Sequence, residues 1–155
     1  MRRPEPLLSV AVLALALGAG GCIDFGLEVP LPAPRAAAPV DVPEDCVEEE
    51  ADPSEATIEL QFQTLGVDKP IVNAVPGSVL LWINGSSQAH TASAGAPGAD
   101  IPLDRGGFES GRMAGGGSQW AYRFCQPRTV TWYCRTHPAQ MFGYRIVVGS
   151  AGGSP

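Results

Sequence analysis

The sequence predicts an all-β domain, a sandwich or a barrel, preceded by a polar tether. Its 155 residues include 19 glycines and 15 prolines, a density that disfavours long helices and suits a fold with many turns. From Thr57 onwards, Ile58, Leu60 and Phe62 alternate with polar residues, which is typical of a half-buried strand. The length allows one compact domain with an appendage.

Five strands are predicted in this domain, each next to glycine or proline turn signals or to a polar loop. They cover residues 57–63, 79–83, 120–124, 129–134 and 144–148. Residues 94–117 have no clear periodicity, and we predict loops there with at most one short strand. Short strands separated by turns favour a sandwich or a barrel.

The first 22 residues have the pattern of an export signal. Arg2 and Arg3 precede an apolar run over residues 7–17, and small residues then lead to Cys22. The run is short for a membrane span. Small residues before a cysteine resemble the lipobox of bacterial lipoproteins, in which that cysteine is lipidated. Ala19 stands where a large aliphatic residue is usual, so secretion without a lipid stays open.

These patterns divide the chain into four parts. Residues 1–21 are the predicted signal peptide, and residues 22–55 form a lipidated, acidic tether rich in proline and alanine, which we expect to be disordered. Residues 56–149 are the predicted domain, and residues 150–155 a flexible tail. We expect export to the cell envelope or periplasm on a membrane anchor. Ile23 mildly favours the outer membrane, because aspartate after the lipidated cysteine resembles an inner-membrane signal.

Charge is distributed unevenly along the chain. Residues 23–55 hold ten acidic side chains and Arg35 as their one base, whereas residues 56–149 hold five acids and seven bases. Those bases are scattered, which argues against a nucleic-acid partner. A mildly basic domain suggests an acidic protein partner. No Ser/His/Asp set, phosphate-binding glycine loop or zinc-deaminase motif is present, so we expect neither an enzyme nor a small-molecule substrate.

One short segment near the C-terminus concentrates metal-binding side chains. Cys134, His137 and Met141 follow the pattern Cys, two residues, His, three residues, Met. A thiolate, two imidazoles and a distant thioether suit copper in both oxidation states. The second imidazole must come from elsewhere, and His90 is the other histidine of the chain. A buried or disulfide-bonded Cys134, a surface His90 and a Met141 that only fills the core are the structural alternatives.

Together these residues resemble the cupredoxins, the small blue copper proteins that include plastocyanin, amicyanin and pseudoazurin. The matching segments are Trp82-Ile83-Asn84 leading to His90-Thr91, and Phe124, Pro127, Val130 and Tyr133 leading to the cysteine motif. The resemblance covers residues 56–149 and implies a Greek-key sandwich or barrel with one copper ion. It implies three strong ligands, His90, Cys134 and His137, and a weak axial ligand, Met141.

The resemblance also implies roles for the residues around the ion. Ala89 would present a distant backbone carbonyl, while Asn84 and Thr91 would tighten the loop around the thiolate. Electrons would leave through His137 at the surface. The residues implied for that docking surface are His137, Pro138, Ala139, Phe142 and the charged Arg135.

The remaining cysteines predict a disulfide. With Cys22 lipidated and Cys134 on copper, Cys46 and Cys125 are left, and an oxidising compartment favours their pairing. Such a bridge would link the end of the tether to the domain.

We therefore expect a monomeric type 1 copper protein that carries single electrons between redox proteins such as a cytochrome or an oxidase. Multicopper oxidases and copper nitrite reductases need further histidines that this chain lacks. The main alternative is an envelope protein that stores, delivers or senses copper. Structural zinc in the same site is a third possibility.

Overall fold

The computed structural model of the protein describes residues 41–149. In that part of the chain ten strands form two five-stranded sheets, and short 3-10 helices lie at Pro53–Glu55 and Leu103–Arg105. The strands are β1 Glu50–Ala51, β2 Ile58–Gln63, β3 Gly66–Val67, β4 Ile71–Ala74, β5 Ser78–Asn84, β6 Ser93–Ala96, β7 Ala99–Asp100, β8 Ser118–Phe124, β9 Arg128–Tyr133 and β10 Tyr144–Val148.

Both sheets join strands that are distant in sequence. One sheet has the order β1-β8-β5-β2-β3, and the other has the order β4-β10-β9-β6-β7. β2 runs parallel to β5 and β4 runs parallel to β10, whereas the other pairs are antiparallel. The chain therefore crosses repeatedly between the sheets, and the all-β sandwich is confirmed.

All five predicted strands are present as β2, β5, β8, β9 and β10. β9 ends at Tyr133, so Cys134 is the first residue of the following loop. β4 and the short strands β1, β3 and β7 were not predicted. Residues 94–117 hold most of β6, all of β7 and a 3-10 helix, more structure than expected. Strands of two residues are too short to carry a periodic signal.

The core lies between the sheets and is strongly aromatic. Leu60 and Phe62 of β2 point inwards while their sequence neighbours are partly or fully exposed, as the period of two requires. Trp82 of β5 and Trp132 of β9 meet edge to face at the centre, with ring centroids 5.7 Å apart. Both indoles are fully buried, so the two sheets interlock through large rigid groups.

An N-terminal arm, residues 41–56, belongs to this fold. Ala51 pairs with Ala121 of β8, and Ala51 and Ala56 pack on a small cluster formed by Val79, Leu81 and Ala121. The sequence analysis placed this segment in the tether, because its composition is polar and acidic. Backbone pairing to β8 and a covalent link hold it in place. Neither interaction can be inferred from amino-acid composition.

The covalent link is a disulfide between Cys46 and Cys125, as predicted. The two cysteines are 79 residues apart. In the loop-entropy account, closing a loop of that length stabilises the fold by about 4 kcal/mol. The bridge ties the arm to the end of β8.

Several predictions concern residues outside the described range. The signal peptide, lipidation at Cys22, the tether up to residue 40 and the tail from residue 150 stay predictions. None of the helices in the part of the chain that the structure describes is long and apolar enough to cross a membrane.

A partly buried ion pair reinforces the arm next to the disulfide. Glu48 forms two contacts with Arg128, of 2.5 and 2.7 Å, and accepts hydrogen bonds from the backbone N–H groups of Cys125 and Gln126. Burial acts to raise the pKa of Glu48, but the hydrogen bonds from Arg128 and the two amides outweigh it. The net pKa is lowered from its ordinary value of 4.5.

The lowered pKa predicts that Glu48 stabilises the fold above its ordinary pKa and loses this effect as pH falls through the folded-state value. Glu48→Gln should lower the free energy of unfolding at pH 7 by about 1.5 kcal/mol or more, since a hydrogen-bonded charge is removed. The difference from wild type should shrink towards pH 3. Urea unfolding at both pH values measures it, with the exposed Glu49→Gln as control. A difference that stays constant with pH would contradict this assignment.

Candidate metal centre

Three metal-binding side chains converge at one end of the sandwich. Cys134 Sγ lies 3.6 Å from His90 Nδ1 and 3.7 Å from His137 Nδ1, and one donor atom from each residue lies within 4.8 Å of the others. His90 is on the loop after β5, whereas Cys134 and His137 are on the ligand loop, residues 134–143, between β9 and β10. The two segments that carry the predicted ligands, one with His90 and one with Cys134 and His137, therefore come together in the fold.

Backbone hydrogen bonds close the ligand loop on itself. The N–H of His137 donates to the carbonyl of Cys134 at 3.2 Å, and that of Met141 donates to the carbonyl of His137 at 2.9 Å. The Cys134 N–H donates in turn to the Met141 carbonyl at 2.8 Å. Met141 is fully buried in the main core beside Cys134. The axial role of Met141 stays a prediction.

His90 is held in place by packing against the face of its ring and by hydrogen bonds of its backbone. Phe62 stacks on it, with ring centroids 4.8 Å apart and planes 5° from parallel. The backbones of His90 and Met113 exchange two hydrogen bonds, of 2.9 and 3.0 Å. Burial, and then the neighbouring His137, lower the pKa of His90. A neutral imidazole results, which is the form that binds metals.

Ser86 sets the orientation and tautomer of His90. Its Oγ lies 3.0 Å from His90 Nε2, and its own proton has two acceptors within reach, Asn84 Oδ1 at 2.9 Å and the Gln88 carbonyl at 3.1 Å. Because the hydroxyl proton is used there, the Ser86 oxygen is free to accept the Nε2 proton. This leaves the lone pair on Nδ1, which faces Cys134. A partner on the far nitrogen is what orients histidine ligands in metal sites.

Asn84 organises the loop that carries His90. Its Nδ2 lies within 3.1 Å of three backbone carbonyls, those of Gln88, Met113 and Ala114. Gly115 approaches the same loop so closely that a Cβ there would lie 2.6 Å from the Ser86 carbonyl oxygen. Asn84 was expected to tighten the loop around the thiolate. The structure instead places its hydrogen bonds around the histidine.

Thr91 lies beside the thiolate, as the resemblance implied. Its N–H donates to Cys134 Sγ at 3.3 Å, and its Oγ1 accepts the Arg135 N–H at 2.7 Å. The carbonyl of Ala89 accepts a hydrogen bond of 2.9 Å from the Thr136 hydroxyl. The Ala89 carbonyl is therefore hydrogen-bonded to the ligand loop by Thr136, a residue that the sequence analysis did not identify.

The donor set and its spacing fit a metal ion. Ordinary metal–nitrogen and metal–sulfur bonds, of about 2.0 and 2.3 Å, separate nitrogen from sulfur by about 3.5 to 3.7 Å in tetrahedral or trigonal geometry. The two separations seen here, 3.6 and 3.7 Å, agree with that value. His90 and Cys134 are fully buried. A dry site with one thiolate and two imidazoles is suited to copper.

His137 is the candidate ligand that reaches the surface. It is partly exposed, and Pro138 and Ala139 beside it are exposed. Phe142 has 57% of its surface accessible. Arg135 forms ion pairs with Asp100 at 2.9 Å and with Glu109 at 3.1 Å, so its charge is largely balanced within the chain. The predicted docking residues thus lie on the ligand loop around His137.

Sequence reasoning missed Ser86, Phe62 and the side chain of Thr136 as members of the site. Ser86 lies four residues before His90, a weak signal that any polar loop would show. Phe62 was recognised as an inward-facing strand residue, but its stacking on His90 depends on which strands are neighbours. Thr136 lies inside the ligand motif, where its side chain had no assigned role.

The His90 environment predicts an effect of Ser86 on metal affinity. Ser86→Ala should weaken copper binding by about 10- to 100-fold, the range seen when the partner of a histidine ligand is lost. Competition with a chelator of known affinity measures it. The neighbouring exposed Ser87→Ala is the matched control and should bind as wild type does. Equal affinities of the Ser86 and Ser87 variants would show that Ser86 does not orient His90.

Solved structures with a similar fold are copper proteins. An oxidised methionine-to-leucine variant of amicyanin superimposes with a TM-score of 0.52 and 18% identity, covering 66% of this chain and 98% of the other. A methionine-to-alanine variant of amicyanin with Cu(I) gives 0.51 and 17%, with the same coverage. No protein-family profile matches the sequence, and no curated protein is similar to it. The chain has the fold of the cupredoxins.

Proposed function

We propose that this protein is a type 1 copper protein that carries single electrons between redox partners in the cell envelope. One observation supports this most directly. Of the four candidate ligands, His90, Cys134 and Met141 have no exposed surface, whereas His137 is partly exposed among apolar residues. A buried centre with one ligand at the surface gives electrons a short exit while it keeps solvent away.

Each residue has a role in this proposal. Cys134, His90 and His137 hold one copper ion, and Met141 provides the weak axial thioether. Bound copper supplies one-electron chemistry, alternating between Cu(II) and Cu(I). The Thr91 amide stabilises the negative sulfur through its hydrogen bond, a contact that tunes the potential of such sites. No residue is assigned a catalytic role.

The surroundings support rapid electron exchange because they limit movement of the ligands. Phe62 and the Met113 backbone hold His90, and the hydrogen-bonded ring of the ligand loop holds Cys134 and Met141. Ligands fixed by packing and by a second layer of hydrogen bonds keep one geometry. Little rearrangement is then needed when the charge of the ion changes.

The disulfide and the charge of the arm bear on location and partner. A Cys46–Cys125 bridge is typical of oxidising compartments, which supports an exported protein. With the arm included, residues 41–149 hold thirteen acidic and seven basic side chains. The folded part is thus acidic overall, and its net charge no longer favours an acidic partner. We propose that a cytochrome or oxidase docks on the apolar surface around His137.

Loading the purified protein with Cu(II) tests the metal and the ligands. We expect an intense blue absorption from thiolate-to-copper charge transfer, absent in Cys134→Ser. A strand threonine outside the ligand set, changed in Thr129→Val, serves as control and should retain the colour. Tight binding of zinc together with no blue band from copper would favour a structural zinc site and contradict the proposal.

The docking surface predicts an effect of Phe142 on electron exchange. Phe142→Lys should slow electron self-exchange between the oxidised and reduced protein by at least about tenfold, because like charges facing each other across an interface cost several kcal/mol. NMR line broadening in mixtures of the two forms measures the rate. Leu103→Lys, which changes another exposed apolar residue, should leave it unchanged.

The same measurements distinguish an electron carrier from a protein that stores or delivers copper. Reversible reduction with fast self-exchange supports the carrier. Slow self-exchange in the wild type, together with ready transfer of copper to a chelator, would instead indicate storage or delivery of the metal.

A further inference from the structure

The Thr136 hydroxyl lies against the candidate metal centre, although the residue itself is exposed. Its Oγ1 is 2.9 Å from Cys134 Sγ and 3.1 Å from His137 Nδ1. It is also 2.9 Å from the carbonyl oxygen of Ala89 on the opposite loop. The hydroxyl therefore touches two of the candidate ligands and connects the two loops that supply them.

The position of the hydroxyl proton determines whether Thr136 Oγ1 acts as a hydrogen-bond donor or presents lone pairs to Cys134 and His137. The Ala89 carbonyl can only accept a hydrogen bond, whereas Cys134 Sγ and His137 Nδ1 can each carry a proton of their own, and we infer that the Thr136 proton is directed at Ala89. The remaining lone pairs of Oγ1 then face the sulfur of Cys134 and the nitrogen of His137. Electron-rich atoms at these separations require a proton or a cation between them.

Cysteine binds metal ions as the thiolate. An ion bound to Cys134 and His137 would supply the positive charge that these atoms require. An ion at ordinary bond lengths from Cys134 Sγ and His137 Nδ1 lies within about 3.5 Å of Thr136 Oγ1, whatever its direction from the sulfur–nitrogen line. The hydroxyl oxygen is thus close enough to act as a weak ligand.

We propose that Thr136 Oγ1 is a further oxygen donor to the bound copper, in the place expected for the Ala89 carbonyl. This inference rests on the proposed function, since it assumes copper in the site. Oxygen is a harder donor than sulfur or imidazole and interacts more strongly with Cu(II) than with Cu(I). Thr136 accordingly lowers the reduction potential, and the Ala89 carbonyl orients its lone pairs towards the ion.

Substitutions that remove or keep the hydroxyl test this role. Thr136→Val should weaken Cu(II) binding relative to Cu(I) by about tenfold, which raises the potential by about 59 mV for a one-electron couple. Thr136→Ser keeps the hydroxyl and should keep the wild-type potential. The exposed strand residue Thr131, changed to valine, is the control for a threonine outside the site. Voltammetry gives the potentials.

A crystal structure of the Cu(II)-loaded wild type provides a second measurement that needs no variant. Thr136 Oγ1 near the copper and still within hydrogen-bond distance of the Ala89 carbonyl oxygen supports the proposal. A hydroxyl turned away from the ion would overturn it. So would an unchanged potential in Thr136→Val, or a lowered one, which would show that the hydroxyl donates to the thiolate. A wild type that forms no blue copper site would instead refute the proposed function itself.

Discussion

Thr91 sets the distance between the two loops of the metal centre, and the rest of the site depends on this spacing. Its N–H donates to the Cys134 sulfur, and its hydroxyl accepts the next amide of the ligand loop, that of Arg135. His90 directly precedes Thr91, so the same link places the imidazole beside the thiolate. A buried sulfur with a backbone donor on one side and two imidazoles on the other can carry negative charge without water.

Rigidity around this link comes from several layers of the fold. Phe62 stacks on His90 and meets Trp132 edge to face, so the first ligand rests directly on the aromatic core. On its far side, the ring is positioned by Ser86, which Asn84 holds through a further hydrogen bond. The strands need not move when the charge of the site changes. The sandwich therefore acts as a frame for the two short loops that carry His90 and Cys134.

The arm connects the acidic part of the chain to the same frame. Cys46 is bonded to Cys125, which directly follows β8, and Glu48 is paired with Arg128, the first residue of β9. β9 in turn ends at the candidate copper ligand Cys134. The arm thus stabilises the strand that presents the thiolate, and it also reverses the net charge of the folded part.

The sequence by itself determined the fold class, the five longest regular strands, the pairing of Cys46 with Cys125 and a candidate site of His90, Cys134 and His137. These depend on local periodicity, on a short spacing and on a small number of histidines and cysteines, all readable along the chain. Only the tertiary structure decided that residues 41–56 belong to the fold, that Ser86 and Phe62 hold His90, and that the Thr136 hydroxyl enters the site. Each of these depends on which distant segments become neighbours. Hydrogen bonds and stacking between segments far apart in sequence leave no periodic signal in either one.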